Sequence, residues 1–357
     1  MARIRVLVVE DSLTVRRHLV EVLSSDADLE VVGEGENGQQ AIEACRALRP
    51  DVVTLDMHLP VLDGVAATEH IMGHFPTPIL IVSSSTNRGD LFKTYDALAA
   101  GAVDVLEKPG VDESDAVWEK KFIAAVKLVS RIKVITHVRA RLGGVARVTS
   151  SIADLSSALP IKTTTHPRSL IALGASTGGP GALVDVLRGI PASCTATILI
   201  VLHIDEPFSS AFAEWLGAQT VHSVAYAVGG ESLGSSRGRV FMAPPGRHLM
   251  AKGGKLWLSS EPERHSCRPS VDVLFESLAV ECASQVVACL LTGMGRDGAS
   301  GLLALRRAGA YTIAQDEASS VIYGMPREAA LLGAAESILP LQEIGSAVAR
   351  AATKESR

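Results

Sequence analysis

Short apolar runs that end in polar residues, separated by helical segments, constrain this chain more than any other feature. In the first third the runs are Val6–Val9, Leu29–Gly33, Val52–Leu55, Ile79–Val82 and Val103–Leu106. Leu13–Leu23 and Gln39–Leu48 carry helical periodicity between them. Ser12 stands where a helix cap belongs, and Pro50 stops the second helix. Strands spaced by helices build a parallel sheet with helices on both faces. Asp115 to Arg141 reads as one long helix, broken at Gly143-Gly144. Val148–Pro167 is rich in Ser, Thr and Pro, the composition of a linker.

The α/β logic restarts near Arg168. Leu170–Leu173 leads into Gly174-Ala175-Ser176-Thr177-Gly178-Gly179, Thr197–Leu202 into His203, and Val286–Leu291 into Thr292-Gly293-Met294-Gly295-Arg296-Asp297-Gly298. Arg239–Pro244 and Lys255–Leu258 read as shorter strands of a hairpin excursion. The expected architecture is α/β with two doubly wound parallel sheets: a five-stranded flavodoxin-like domain over 1–126, a helix end and linker over 127–167, and a larger Rossmann-like domain over 168–352.

Composition narrows the function classes. The chain has 357 residues, 47% of them hydrophobic and only 4% aromatic, so two aliphatic cores are expected. A net charge of −5 gives no electrostatic footprint for nucleic acid or an anionic membrane. The five cysteines form no C-x-x-C pair; they read as reduced, buried thiols of a cytosolic protein, and their spacing argues against a Zn site. The N-terminus does not read as a signal peptide, and runs such as Val286–Thr292 are too short to span a bilayer. A cytoplasmic protein without membrane insertion is expected.

In a parallel α/β sheet, ligands bind outside the carboxyl ends of the strands. Glu10, Asp11, Asp56, Ser83 and Lys108 all fall there. Three carboxylates together suit Mg²⁺, which takes carboxylate, water and phosphate oxygens. Mg²⁺ and a Lys ammonium neutralise a transferring phosphoryl group and leave Asp56 to act as its acceptor. Ser83 is placed to hydrogen-bond a new phosphoryl oxygen, and Lys108 to pair with it.

In the second domain, Ser176 sits between a strand and a Gly-rich helix start, where free N–H groups suit an oxyanion or a phosphate equally. The turn is neither G-x-G-x-x-G, nor a P-loop, nor a G-x-S-x-G elbow. On spacing alone the hydrolase and phosphate readings are about even. His203 and Asp297 reach the same sheet edge, where a serine nucleophile needs a base and an orienting acid. His248, His265 and His222 fit less well as the base, as do Asp205, Asp272 and Asp316 as the acid.

The motifs V-L-V-V-E-D-S, T-L-D-M-H-L-P-V-L-D-G, I-V-S-S and E-K-P resemble the receiver domain of two-component response regulators over roughly residues 3–125. That resemblance implies Mg²⁺ held at Glu10, Asp11 and Asp56, phosphorylation of Asp56 by a histidine kinase, and Ser83 and Lys108 as the switch pair. Val105 and Leu106 stand where many receivers carry an aromatic switch.

G-A-S-T-G-G-P, C-R-P-S-V-D-V-L-F, L-L-T-G-M-G-R-D-G-A and A-Q-D-E-A-S-S-V-I-Y-G-M-P-R-E-A resemble the chemotaxis protein-glutamate methylesterases, and with the receiver the likeness spans nearly the whole chain. It implies hydrolysis of glutamate γ-methyl esters on chemoreceptor helices to glutamate and methanol, and deamidation of receptor glutamines. Ser176 is then the nucleophile, His203 the base and Asp297 its orienter, with no cofactor for the ester chemistry. Thr177 and Met294 belong to the oxyanion region and Arg268 to the substrate-facing loop. The family also implies an unphosphorylated receiver packed across the catalytic cleft. Family members usually follow the histidine with Met-Pro; here Ile204-Asp205-Glu206-Pro207 follows, and its two carboxylates are expected to raise the His203 pKa if close. A catalytically weak receptor-binding adaptor and phosphate sink is the alternative. A receiver fused to a DNA-binding output is weaker, for want of a basic helix-turn-helix pattern.

Overall fold

The computed structural model describes residues 2–84, 87–109, 115–132, 134 and 168–352. The first sheet contains β1 (Ile4–Val9), β2 (Leu29–Gly35), β3 (Val52–Leu55), β4 (Ile79–Ser83) and β5 (Asp104–Glu107). The strands are parallel in the order β2-β1-β3-β4-β5, the flavodoxin-like arrangement. Its helices are α1 (Leu13–Ser24), α2 (Gly38–Leu48), α3 (Gly64–His74), α4 (Arg88–Ala99) and α5 (Asp115–Val129). Side chains alternate across a strand. Leu7 and Val9 of β1 therefore join one core, while Val6 and Val8 join Leu19, Trp118 and Phe122 on the other face. Ser12 caps α1 by accepting the Val15 amide, as its position before the periodic segment predicts.

The expected helix from Asp115 to Arg141 stops at Val129. The chain then turns, with the Arg131 and Ile132 amides bonding carbonyls only three residues back. The Gly143-Gly144 break and the Ser/Thr/Pro-rich stretch lie outside the described residues.

The second sheet is built from β6 (Leu170–Ala175), β7 (Thr197–Leu202), β8 (Val224–Tyr226), β9 (Val240–Met242), β12 (Val286–Leu290), β13 (Tyr311–Gln315) and β14 (Ser337–Leu339). The strands between these in the chain, β10 (His248–Lys252) and β11 (Lys255–Ser259), form a separate antiparallel hairpin. All seven sheet strands are parallel, in the order β14-β13-β12-β6-β7-β9-β8. The helices are α6 (Gly179–Arg188), α7 (Phe212–Ala218), α8 (Val271–Glu281), α9 (Ala299–Arg307), α10 (Met325–Leu331) and α11 (Leu341–Ala352). The hairpin differs from expectation. Arg239–Pro244 supplies β9 of the main sheet, and Lys255–Leu258 pairs with the segment starting at His248. Val240, Phe241 and Met242 are all buried, as a central parallel strand requires, whereas the hairpin alternates.

The two domains share one apolar cluster, and α4 forms the join. The Tyr95 ring packs edge-on to Phe212 and tilted to Trp215. Tyr95 Oη donates to the Phe208 carbonyl at 2.6 Å, and Trp215 Nε1 donates to Asp96 Oδ1 at 2.8 Å. Arg88 pairs with Glu214 at the rim.

Candidate functional site

At the receiver's sheet edge, β1 ends in Glu10-Asp11, β3 in Asp56, β4 in Ser83, and β5 leads to Lys108. Ligand oxygens of Glu10, Asp11 and Asp56 lie within 4.8 Å of one another. Lys108 Nζ bridges Glu10 Oε2 at 2.8 Å and Asp56 Oδ2 at 3.1 Å. Burial pushes the Glu10 carboxyl above its ordinary range; Lys108 opposes this, and the neighbouring Asp56 charge adds to it. Burial depresses the Lys108 ammonium, but Asp56 and Glu10 outweigh it, so its pKa is raised. The Ser83 hydroxyl is buried and has no hydrogen-bond partner among the described residues. A buried, unpartnered hydroxyl beside a carboxylate cluster suits an incoming phosphoryl oxygen.

In the second sheet, Ser176 follows β6, His203 follows β7, and Asp297 lies in the loop after β12. These three strands are adjacent, and the order reverses at β6, so the residues meet at the switch point of the sheet. The Ser176 amide donates to the Thr292 carbonyl at 3.0 Å, which ties the β6 loop to the β12 loop. Gly293 permits this approach, since a Cβ there would stand 2.7 Å from Ser176 Cβ. Gly178 takes φ +75°, a left-handed turn that starts α6 directly beneath Ser176.

His203 Nε2 lies 2.9 Å from Asp297 Oδ2. Asp297 is itself fixed: Oδ1 accepts from Ser270 Oγ at 2.7 Å and the Asp272 amide at 3.1 Å, and Oδ2 also accepts from the Val271 amide at 2.6 Å. These donors are the N-terminus of α8, which favours an anion. Burial would raise the Asp297 carboxyl, but His203, Ser270 and Val271 outweigh it and hold its pKa below the ordinary range. The second ring nitrogen, His203 Nδ1, faces Cys267 Sγ at 3.7 Å. Burial pulls the His203 pKa down, yet the contacts with Asp297 and Cys267 prevail and raise it to about 9. Asp205 and Glu206 are not the cause, contrary to the sequence expectation: Asp205 points its charge toward Lys121, Glu107 and Asp104 of the receiver. Ser176 Oγ makes no hydrogen bond to His203 among the described residues.

A cleft of ≈ 390 Å³ joins the two domains at this point. Leu98 and Val103–Val105 of the receiver face Ser176, Thr177, His203, Asp205, Cys267 and Arg268 across it. Asp104, mostly buried here, has its carboxyl pushed up to about 6 by that burial, with Asp205 adding repulsion and the Val105 amide opposing. Arg268 Nε is buried without a partner among the described residues, while Arg268 Nη1 donates to the Glu261 carbonyl at 3.3 Å. Met294 borders the site, half-exposed in a second groove that it shares with Cys267, Asp297, His265 and Arg296.

Residues 171–348 match the family model of the CheB methylesterase, and residues 6–116 match that of the response regulator receiver domain. The protein-glutamate methylesterase/protein-glutamine glutaminase of Nitrosospira multiformis is 42% identical over 348 residues, covering 97% of this chain and 96% of that protein. The protein of the same description from Symbiobacterium thermophilum is 40% identical over 357 residues, covering 98% and 97%. The chain belongs to the CheB methylesterase family. The solved CheB methylesterase catalytic domain of Thermotoga maritima aligns at 31% identity and a TM-score of 0.48, over 51% of this chain and 97% of that one.

Within this CheB-family chain, the structure brings Ser176, Thr177, His203, Arg268 and Asp297 to one sheet edge, with Met294 in the adjoining groove. Sequence reasoning passed over Ser270 and Cys267, although both stand in the quoted C-R-P-S-V-D motif. A Ser just before an apolar helical run signals a cap; here that cap also clasps Asp297. His248, which fits less well as the base, is a buried strut, with Nδ1 accepting the Ser270 amide at 3.2 Å. Cys45, Cys194 and Cys289 are buried as expected, whereas Cys267 and Cys282 are part-exposed because their segments border the cleft and the end of α8. No helix among the described residues is long and apolar enough to cross a membrane.

Proposed function

We propose that this CheB-family protein is a phosphorylation-activated methylesterase that converts glutamate γ-methyl esters on cytoplasmic chemoreceptor helices to glutamate and methanol. The observation that carries this reading is the meeting of Ser176, His203 and Asp297 at adjacent strand ends, with Asp297 bonded to one nitrogen of the imidazole. The receiver occupies 1–126, the helix end and linker 127–167 and the catalytic domain 168–352, and the protein works in the cytoplasm.

Asp297 holds the Nε2–H of His203 and leaves Nδ1 as the acceptor. Ser176 Oγ gives its proton to Nδ1 and attacks the ester carbonyl. Backbone N–H groups at Thr177 and Met294 meet the developing oxyanion, and the unpartnered Arg268 Nε faces the substrate. His203 then returns the proton to the departing methoxide, and methanol leaves. Water, deprotonated by the same imidazole, cleaves the acyl-enzyme and frees glutamate. A glutamine amide follows the same path with ammonia as the leaving group.

The receiver residues fit a divalent cation: three carboxylates converge, and the Ser12 and Met57 amides hold Glu10 Oε1 and Asp56 Oδ1 in place. Mg²⁺ bound by Glu10, Asp11 and Asp56 supplies charge neutralisation for phosphoryl transfer from a histidine kinase. Asp56 accepts the phosphoryl group, Lys108 exchanges its pairing with Asp56 for the phosphoryl oxygens, and Ser83 donates to them. That change is relayed through β5 and α4 to the join at Tyr95 and Asp96, and the cleft opens. Methanol release from methylated receptor tests the reading: Ser176→Ala is expected to abolish it while Asp56 still takes phosphate, and undiminished release overturns it.

A further inference from the structure

Cys267 has no part in the mechanism above, yet it is held against the catalytic imidazole. Its turn is stiff. The Arg264 and Cys267 backbones exchange two hydrogen bonds of 3.1 and 2.9 Å, around His265 and Ser266 in left-handed conformations with φ of 52° and 60°. Arg264 is anchored by Glu276 through two contacts of 2.5 and 2.7 Å. The thiol therefore sits at Nδ1 by construction, 3.7 Å away.

That separation has a chemical reading. A tetrahedral zinc ion about 2.0–2.1 Å from nitrogen and about 2.3 Å from sulfur sets those two ligand atoms roughly 3.6 Å apart. Histidines that bind metal usually donate their other N–H to a carboxylate, which fixes the ring and raises its basicity. Asp297 already does this at Nε2, and its two oxygens accept four hydrogen bonds, so it stays an outer-shell partner rather than a ligand. The cleft is open to solvent, so water completes the coordination, and Glu263 lines the same cleft. We propose that Cys267 Sγ and His203 Nδ1 chelate a thiophilic divalent cation, Zn²⁺ being the best fit, and that its binding silences the esterase. Binding exchanges the thiol proton and, where His203 is protonated, the Nδ1 proton for the metal and releases them to solvent. The metal takes the Nδ1 lone pair that Ser176 needs, so loading and catalysis exclude each other. This departs from the expectation from cysteine spacing. That spacing counts only ligands close in sequence, and here the histidine comes from the end of β7 while the cysteine comes from the turn before α8.

The silencing rests on the proposed esterase mechanism; the site does not. The test uses the full-length, metal-stripped protein with Co²⁺ as spectroscopic probe and Zn²⁺ as competitor, beside Cys267→Ser and, as a control for the other part-exposed thiol, Cys282→Ser. The expected result is one thiolate-to-cobalt charge-transfer band per chain, displaced by Zn²⁺, kept in Cys282→Ser and lost in Cys267→Ser, whose apparent affinity falls by more than about tenfold. Methanol release, read for each protein as its own ratio with and without Zn²⁺, is expected to collapse in the wild type, recover with a chelator, and be insensitive in Cys267→Ser. A band that survives in Cys267→Ser, or no band in the wild type, overturns the site whatever the enzyme does. A band without inhibition overturns the silencing. If metal-free wild type releases no methanol, the esterase reading fails and the cobalt spectrum still decides the site.

Discussion

At the receiver's sheet edge Lys108 spans Glu10 and Asp56, while the buried Ser83 hydroxyl bonds nothing among the described residues. At the catalytic sheet's edge Asp297 accepts four hydrogen bonds and His203 is gripped at both ring nitrogens. Both sites use the same device, polar residues at the carboxyl ends of parallel strands. They differ in what they leave open. The receiver keeps buried polar capacity for groups that arrive from outside, so it has two states to choose between. The catalytic site fixes its acid and its base and leaves the nucleophile and Arg268 Nε unbonded, which suits a geometry that must not drift during turnover.

The largest break in this comparison is Ser176→Ala, expected to lower methanol release by on the order of 10⁴- to 10⁶-fold with Asp56 phosphorylation intact. Asp297→Asn follows, with a loss on the order of 10⁴-fold, because an amide no longer enforces the Nε2–H tautomer; a loss under about tenfold would show that Asp297 is not the orienter.

Proton linkage gives the next effect. Since folding raises His203 from 6.5 to about 9, the resting enzyme carries an imidazolium at neutral pH, and its activity rises as pH climbs through that range. Cys267→Ala removes one of the raising contacts, so the midpoint of the profile moves to lower pH, and each unit moved multiplies the neutral-pH base fraction about tenfold. An unmoved profile would separate the thiol from the base. The same shift makes a stability statement. The His203 contribution is complete below 6.5 and is lost as pH rises through about 9, since the unfolded chain gives up the proton first.

Tyr95→Phe deletes the bond to the Phe208 carbonyl across the domain join, worth about 1 kcal/mol. Basal activity without phosphodonor is expected to rise roughly fivefold; no rise would place the inhibitory contact elsewhere. The smallest effect is Ser83→Ala. Removing a hydroxyl that bonds nothing leaves the melting temperature unchanged or slightly raised, yet it lessens activation by a phosphodonor. A clear drop in melting temperature would mean that Ser83 is already satisfied in the resting state.

Most of the framework was readable in the chain because strand period and helix caps are local. The nine-residue stretch from Val6 to Thr14 shows a strand, its acidic end and a helix cap in sequence order. The strands β8, β10, β13 and β14 were missed; β8 and β14 are each three residues long and only partly buried, which leaves no run to detect, whereas the buried β13 was a run passed over. The pairing of Arg239–Pro244 was misread for a different reason: two short strands say nothing about which partner each will choose. At the site, Ser176, His203 and Asp297 were visible as strand-end residues. The Cys267–His203 contact was not, because it joins positions 64 residues apart through a turn with two left-handed residues that no local pattern announces. The direction of Asp205, toward the receiver and away from the imidazole, likewise depends on the docked domains.

The central claim is that Ser176 chemistry is gated from Asp56. It is tested most directly by methanol release from methylated receptor, using the full chain before and after a small acyl-phosphate donor with Mg²⁺, beside Asp56→Asn. The account predicts that release rises with the donor in the wild type and stays at its basal level in Asp56→Asn. Equal rates with and without donor in the wild type, or full stimulation in Asp56→Asn, would contradict it.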